Sequence, residues 1–431
     1  MAADNHFPHL GPDPSTRTKP ENPKEQRAGG QAILMLVMCF VLGMLSRGMF
    51  DSILVLLRPL DQSFDVPRDV LTGIHATAML TTGLAAPFAG RAYVRFGPRL
   101  AYTLGVFALG AGLYLSGSVG ELWALYLGHG VLVGLGSATL GNVVHAILIS
   151  RWFDRRRGTA LGFVHSAMGV GVLVMSPLTQ ALVDIEDWRF AYTTLAICGT
   201  AIMLPIALFM PWNRLMDGPF APGKSDTSDG TGPNSDGMSL ATALRGWPFW
   251  TLSAAYLTTG IGIYIIVTQM VDYLQTVGLS NVDAAWYYGV AAGLAPVGMV
   301  SFGALGDRIG ILPAVMLSYG MTIISYFCFV SLTDHLSLPI LLLALISLGL
   351  TLGSRGPMIS SLASRYYQGK SFGSIHGTIL LGGGLGAAIG AWIGGRLFDI
   401  AGGHLPLFWI GAAVLVSGSL LFVPLTRNLP R

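Results

Sequence analysis

Ile149-Ser-Arg-Trp-Phe-Asp-Arg-Arg-Arg-Gly158 sets four arginines between two long apolar runs. A soluble domain has no use for so much hydrocarbon on either side of such a knot. A membrane protein does, because arginines in a short loop stay on the cytoplasmic side and fix topology. The knot has an echo. Ala363-Ser-Arg-Tyr-Tyr-Gln-Gly-Lys-Ser371 repeats Ser-Arg-aromatic-aromatic, followed by a basic residue. Arg151 and Arg365 stand 214 positions apart (365 − 151), close to half the chain. A second basic loop, Gly90-Arg-Ala-Tyr-Val-Arg-Phe-Gly-Pro-Arg99, returns as Gly303-Ala-Leu-Gly-Asp-Arg-Ile-Gly310 at an offset of 213 (303 − 90). Two loops duplicated at one period mean that the second half copies the first.

Composition agrees. The 431 residues are 52% hydrophobic and 11% charged, whereas a soluble domain carries roughly a quarter charged residues. Too few polar residues remain to cover a globule. The net charge of +3 is small, and the positives are confined to alternate loops. That pattern is topology rather than nucleic-acid binding. Cys39, Cys198 and Cys328 form no metal spacing and read as small core residues. The first apolar stretch is too long for the core of a signal peptide and lacks a cleavage site in the right place.

Apolar runs long enough to span about 30 Å follow one another. The first six cover 31–60, 70–93, 100–119, 122–150, 158–183 and 188–212. The second six cover 247–277, 282–305, 312–332, 336–362, 372–398 and 405–425. The expectation is an all-α integral membrane protein, with twelve transmembrane helices in two pseudo-symmetric six-helix bundles. Its parts are a disordered tail over 1–30, bundles over 31–212 and 245–431, and a Gly/Ser/Asp/Pro-rich linker over 213–244. One set of loops holds Arg91, Arg95, Arg99, Arg151, Arg155, Arg156, Arg157, Arg308 and Arg365. The other holds Asp61, Asp65, Asp69, Glu121, Asp184, Glu186, Asp187, Asp283, Asp334 and Asp399, with only Arg68, Arg189 and Arg396 as positives. Both termini and the linker are therefore predicted to be cytoplasmic.

These loops resemble those of the major facilitator superfamily, whose motif between the second and third helices of each half reads G-x-x-x-D-R-x-G-x-R. Gly303, Asp307, Arg308 and Gly310 match the second copy; Gly90, Arg95, Gly97 and Arg99 match the first, with Val94 where the aspartate is expected. The resemblance implies gating roles for these loops, two bundles, and a midplane cavity opened alternately to either side. Arg151-Trp-Phe-x-x-x-Arg-Gly-x-Ala-x-Gly162 and Ser354-Arg-Gly-Pro357 resemble the bacterial monocarboxylate and oxalate/formate porters. The fifth helix lacks the Gly-Pro-x-x-Gly-Gly ending of proton-driven drug exporters, which counts against drug export.

Ionisable residues at membrane depth cost at least about 2.5–3.5 kcal/mol and call for a reason. Arg355 lies ten residues before Arg365, hence about 15 Å from the cytoplasmic end. The equivalent position in the first half is Gly141, so the arginine is an addition to one half only. It reads either as a forked receptor for a carboxylate or as a residue that bonds helix-end carbonyls or stabilises the break at Pro357. Arg47 and Asp51 are four apart and share a helix face. They read as a neutralised pair, or as a switch in which protonating Asp51 frees Arg47 for an anion. Arg58 reads as snorkelling to the headgroups. His75, His145, His165 and His376 fall in or near spans. His145 and His165 are the better proton carriers, because the fourth and fifth helices flank the cavity in this fold. Asn142, Tyr264, Gln269 and Asp272 are candidate cavity residues, Asp272 alternatively a simple interfacial acid. Gly382, Gly383, Gly384 and Gly386 permit close packing.

No phosphate loop and no base-plus-orienter constellation occurs in the sequence. It predicts no enzyme, cofactor, metal, nucleic acid or obligate protein partner. The expected function is gradient-driven transport of a small organic acid, mono- or dicarboxylate, with protons, across the cell inner membrane. Arg355 and Arg47 would bind the acid. The alternatives are a neutral lactone or vitamin-like heterocycle as cargo, or a transporter-like receptor that moves nothing.

Overall fold

Lipid offers backbone groups no hydrogen-bond partners, so long apolar runs satisfy their own by coiling into helices. The computed structural model describes residues 23–149, 151–153, 157–216, 239–333, 335–367 and 372–427, and these contain helices and no strand. The first half comprises α1a (Pro23–Asp51), α1b (Ile53–Phe64), α2 (Arg68–Phe96), α3 (Pro98–Ser118), α4a (Leu122–Thr139), α4b (Asn142–Ile149), α5 (Arg157–Ile185) and α6 (Trp188–Phe209). The second comprises α7a (Trp247–Val267), α7b (Met270–Thr276), α8 (Asn281–Ile309), α9 (Ile311–Leu332), α10a (Leu338–Thr351), α10b (Arg355–Tyr366), α11 (Phe372–Ala401) and α12 (Leu405–Leu420).

Among the described residues eleven helical spans are long and apolar enough to cross a membrane. The twelfth, α2, has 29 residues, about 43 Å of helix. Glycine, alanine and threonine dilute its hydropathy and let α4a lie close. A β-carbon on Gly134 would stand 2.8 Å from the Ala78 carbonyl oxygen. The helix α1a begins at Pro23, inside the stretch read as a tail. Pro23 suits a first helical position, and Lys24-Glu25-Gln26-Arg27-Ala28 are good helix formers. Residues 1–22 of that tail and 217–238 of the linker lie outside the described residues; the linker's ends form short helices, Trp212–Met216 and Leu240–Ala243.

The first and fourth helices of each half are interrupted, and of these interruptions the sequence reading anticipates only the one at Pro357. The breaks fall at Ser52, at Leu140-Gly141, at Thr268-Gln269 and at Leu352-Gly353-Ser354. Ser52 and Thr268 turn their hydroxyls back onto the carbonyls of Met49 and Tyr264, both at 2.8 Å. At the fourth break Pro357 lacks an N–H and its ring crowds the Gly353 carbonyl. Within α4a, Tyr126–Val133 is π-helical, with one extra residue per turn.

Local geometry repeats as the sequence does. Gly97 and Gly310 both take positive φ, 82° and 96°, at the junctions α2–α3 and α8–α9. That conformation suits a glycine. The arginine knot docks its Trp152 indole on the Leu215 carbonyl at 2.7 Å, and Arg151 reaches Met216 O at 3.2 Å. In the second half the Tyr366 hydroxyl donates to Leu425 O at 2.6 Å. Arg155 and Arg156 of the knot lie outside the described residues. Cys39 is buried, but Cys198 faces outward on α6 and Cys328 is half-buried. Cys198 is not the core residue expected, because the lipid face of a membrane helix is as apolar as its core.

The loops carrying Arg95, Arg151 and Arg365 define an arginine-rich face, which also holds the helix ends at Pro23, Met216 and Arg427. The opposite, acid-rich face holds the α1b–α2, α5–α6 and α11–α12 turns. Close backbone approach joins α7a to α11. β-Carbons on Gly260, Gly390 and Gly394 would each stand 2.6 Å from a carbonyl oxygen of the other helix, those of Gly383, Ile261 and Ile265.

Candidate functional site

The two halves are latched together on the acid-rich face. Arg68 Nη2 lies 2.7 Å from Asp272 Oδ2 with both side chains buried, and His404 Nε2 approaches the same oxygen at 3.1 Å. The Arg68 guanidinium also stacks 4.3 Å over the Phe398 ring. Asp399 accepts from the backbone N–H groups of Arg68 and Asp69, both at 2.9 Å, and so caps the N-terminus of α2. Arg58 does not simply snorkel; it donates to Gln275 at 3.3 Å across the halves. Above the latch Arg58, Gln62, Glu186, Asp187, Gln275 and Asn281 help line a polar vestibule of about 480 Å³.

Below the latch lies the central cavity, about 120 Å³, built by α1, α5, α7, α8 and α10. Its walls are mostly apolar, with Tyr264 and Tyr288 as polar rings. Its ionisable groups are Arg47, Asp51 and His165. Arg47 Nε donates to Asp51 Oδ2 at 2.8 Å. Arg47 Nη2 reaches the Tyr264 hydroxyl at 3.5 Å, across the halves. The arginine side chain is 25% exposed while its partner is 3% exposed. Part of the guanidinium is therefore free toward open space, while Asp51 Oδ1 is buried without a partner. A second cavity of about 220 Å³ opens on the other side of Arg47, within the first half. It is lined mainly by small residues and contains His145. From Arg47–Tyr264 outward to the acid-rich face come all the hydrogen bonds and ion pairs described between the halves.

The expected site residues thus divide. Arg47, Asp51, Tyr264 and His165 meet at the central cavity, and His145 lines the neighbouring one. The side chain of Asn142 lies outside the described residues. Gln269 is buried in the break of α7 rather than on a described cavity wall, and both its amide atoms lack partners among the described residues. Asp272 is no interfacial acid; it is the hub of the latch. Of the loop residues expected to gate, Arg95, Arg99, Asp307 and Arg308 are exposed, Gly90 and Gly303 half-buried, and Arg95 stacks on its neighbour Phe96. His376 pairs with Ser360 at 2.8 Å.

Arg355 does not line the described cavities. It opens α10b and is 1% exposed, turned away into the second bundle. There Nη2 donates to the Ser318 carbonyl at 3.1 Å and to the Thr322 hydroxyl, and the guanidinium lies 4.1 Å over the Tyr319 ring. Around it Ser354 meets Ser318 at 2.7 Å and Thr322 meets Thr351 at 2.8 Å. Of its two sequence readings, this is the one in which it secures a broken helix. The reason is directional: a residue just past a helix break points by the half-helix it starts, not by the depth at which it sits. Arg355→Gln is accordingly expected to lower thermal stability by about 2–3 kcal/mol, through a lost charged hydrogen bond and ring contact. Substrate KM should change less than twofold. Thermal unfolding and transport kinetics on the same preparation check both.

His129, overlooked among the membrane histidines, is fully buried. It bridges the Phe50 carbonyl at 3.0 Å and Tyr192 at 3.3 Å. The Gly128-His-Gly130 triplet inside an apolar run was the available signal. Nothing local announced Tyr288 or the Arg68–Asp272 pair, whose partners are about 200 residues apart in sequence.

A sequence model of the Major Facilitator Superfamily matches residues 36–376. Monocarboxylate transporter 13 of Bos taurus is 26% identical over 399 residues, 92% of this chain and 90% of its own length. Monocarboxylate transporter 11 of Homo sapiens is 27% identical over 434 residues, 97% of this chain and 88% of its own. The uncharacterized MFS-type transporter YcxA of Bacillus subtilis (strain 168) is 25% identical over 401 residues, covering 86% and 89%. Among solved structures, a bacterial homolog of the human lysosomal transporter Spinster, inward-facing and unoccupied, superposes with a TM-score of 0.72. It is 16% identical and covers 93% of this chain and 98% of its own, a likeness of fold.

Proposed function

The chain belongs to the major facilitator superfamily, and from that premise we propose that it moves a small organic acid together with protons by alternating access. The bundles occupy 31–212 and 245–431, joined by the linker over 213–244. The arginine-rich face and both termini lie in the cytoplasm, and the membrane is the cell inner membrane. The conformation is then inward-facing, closed outside by the latch; the superposable Spinster homolog bears the same description. The exposed loop residues Arg95, Arg99, Asp307 and Arg308 would close the inner gate in the opposite state.

One observation carries the reading: a partly free guanidinium, Arg47, beside a buried carboxylate, Asp51, on the wall of a mostly apolar central cavity. A guanidinium fork suits a carboxylate. A bound acid would place two carboxylates on one cation. Two like charges about 4 Å apart repel by about 4 kcal/mol at an effective dielectric of 20. Protonating Asp51 removes that repulsion, so each acid brings a proton with it. Tyr264 orients the guanidinium, and His165 is the nearest further proton carrier on the cavity wall. The similarity to monocarboxylate transporters at 26–27% identity points the same way. A neutral cargo is the second reading, favoured by the pair's zero net charge while Asp51 is ionised.

Asp51→Asn separates the two. In proteoliposomes it should abolish accumulation driven by a pH gradient yet retain acid-for-acid exchange. Accumulation equal to the unmodified protein's removes Asp51 from the proton's path.

A further inference from the structure

The cavity on the far side of Arg47 plays no part in the proton argument, yet it is the larger of the two that share this residue. Its walls are cut back. Gly43, Gly83, Ala86, Ala138 and Gly141 face it, and Phe50 closes one side. At Gly83 an added β-carbon would meet nothing within 4 Å. The volume, about 220 Å³, exceeds the roughly 150 Å³ of apolar space that accepts benzene in an engineered protein core. A polar group also faces it. His145 is 1% exposed, its ring stacks on Tyr102, and its Nε2 has no partner among the described residues. A β-carbon on Gly43 would stand 3.3 Å from the imidazole. Gly43 is one helical turn from Arg47 on the same face, so the imidazole sits about 6 Å along the helix from the base of the arginine.

We propose that this side cavity holds the body of the transported acid. The cargo is then a ring-bearing monocarboxylate: carboxylate on Arg47, ring between the glycines, and a hydroxyl at the far end on His145. A hydroxyl both donates and accepts, so it suits the imidazole in either tautomer. Among the described residues this wall carries a single guanidinium, so a second carboxylate on the cargo finds no further cation among them. The inference rests on the anion-carrier reading and specifies its substrate class.

The test is competition for uptake in proteoliposomes among acetate, benzoate and 4-hydroxybenzoate. The unmodified protein should prefer 4-hydroxybenzoate to benzoate and benzoate to acetate. Gly83→Leu should raise the inhibition constants of both ring acids at least tenfold relative to that of acetate. Gly83→Ala, which has room for its methyl group, should move the same ratio less and guards against a folding failure. His145→Leu should erase the advantage of 4-hydroxybenzoate over benzoate. Equal affinity for all three acids, or a Gly83→Leu shift shared equally by acetate, overturns the side-pocket assignment while leaving organic-acid transport standing. Failure to accumulate any acid overturns both.

Discussion

Arg47→Gln is expected to lower carboxylate uptake at least a hundredfold while the protein remains inserted and monodisperse. Among the described residues the guanidinium is the sole arginine on the central cavity wall, and part of it faces open space. Hydrogen bonds to a charged group contribute about 1.5–3 kcal/mol each. Losing two of them, the fork that a carboxylate needs, accounts for a hundredfold or more. Folding should survive. Asp51 loses its partner, but a buried carboxyl without one binds a proton rather than remain charged. Arg47→Lys should fall between, since it keeps the charge and loses the fork. Proteoliposome uptake beside a size-exclusion profile decides the matter; normal accumulation by the glutamine variant would end the anion-site assignment.

Asp272→Asn is expected to open the acid-rich face. Arg68 and Asp272 are both buried, and removing one member of such a pair strands the other charge at a cost of about 3–5 kcal/mol. The cost is felt in the state where these helices meet, and water relieves it once they part. A bias of that size moves a two-state equilibrium more than a hundredfold. Spin labels at Glu186 and Asn281, on opposite halves of the vestibule rim, report the change. Their separation should lengthen in the variant and stay short in the unmodified protein. An unaltered distance distribution means that Asp399 capping α2, with Gly395 so close that an added β-carbon would stand 2.8 Å from the Arg68 carbonyl oxygen, holds the face shut without the ion pair.

The architecture could be read from the chain because membrane helices announce themselves by length and hydropathy, and a duplicated loop announces the repeat. The pair Arg47–Asp51 was legible for the same reason: four residues on a helix fix a common face. What depended on contacts across the repeat was not legible. Arg68 read as a loop charge and Asp272 as an interfacial acid until folding set them 2.7 Å apart. Arg355 reads two ways, as a carboxylate receptor or as a brace for the broken helix, and only its contacts within the second half favour the brace. Depth follows from counting 1.5 Å per residue, but azimuth is lost wherever a helix is interrupted. The interruptions themselves were only half visible, Pro357 in one case and a back-bonding serine or threonine in two others.

The seam between α7a and α11 has a mechanical consequence. With glycine against backbone at Gly260, Gly390 and Gly394, these two helices lie in close backbone contact along the seam and are expected to turn as a single plank. Asp399, at the end of α11, rides on that plank. Asp272 does not: it sits beyond the Thr268-Gln269 interruption, on the seven-residue swivel α7b. The two acids that grip the start of α2 are thus mounted on separate helical segments. On the proposed alternating-access cycle, the acid-rich face is unbolted at Asp272 before the helix carrying Asp399 swings.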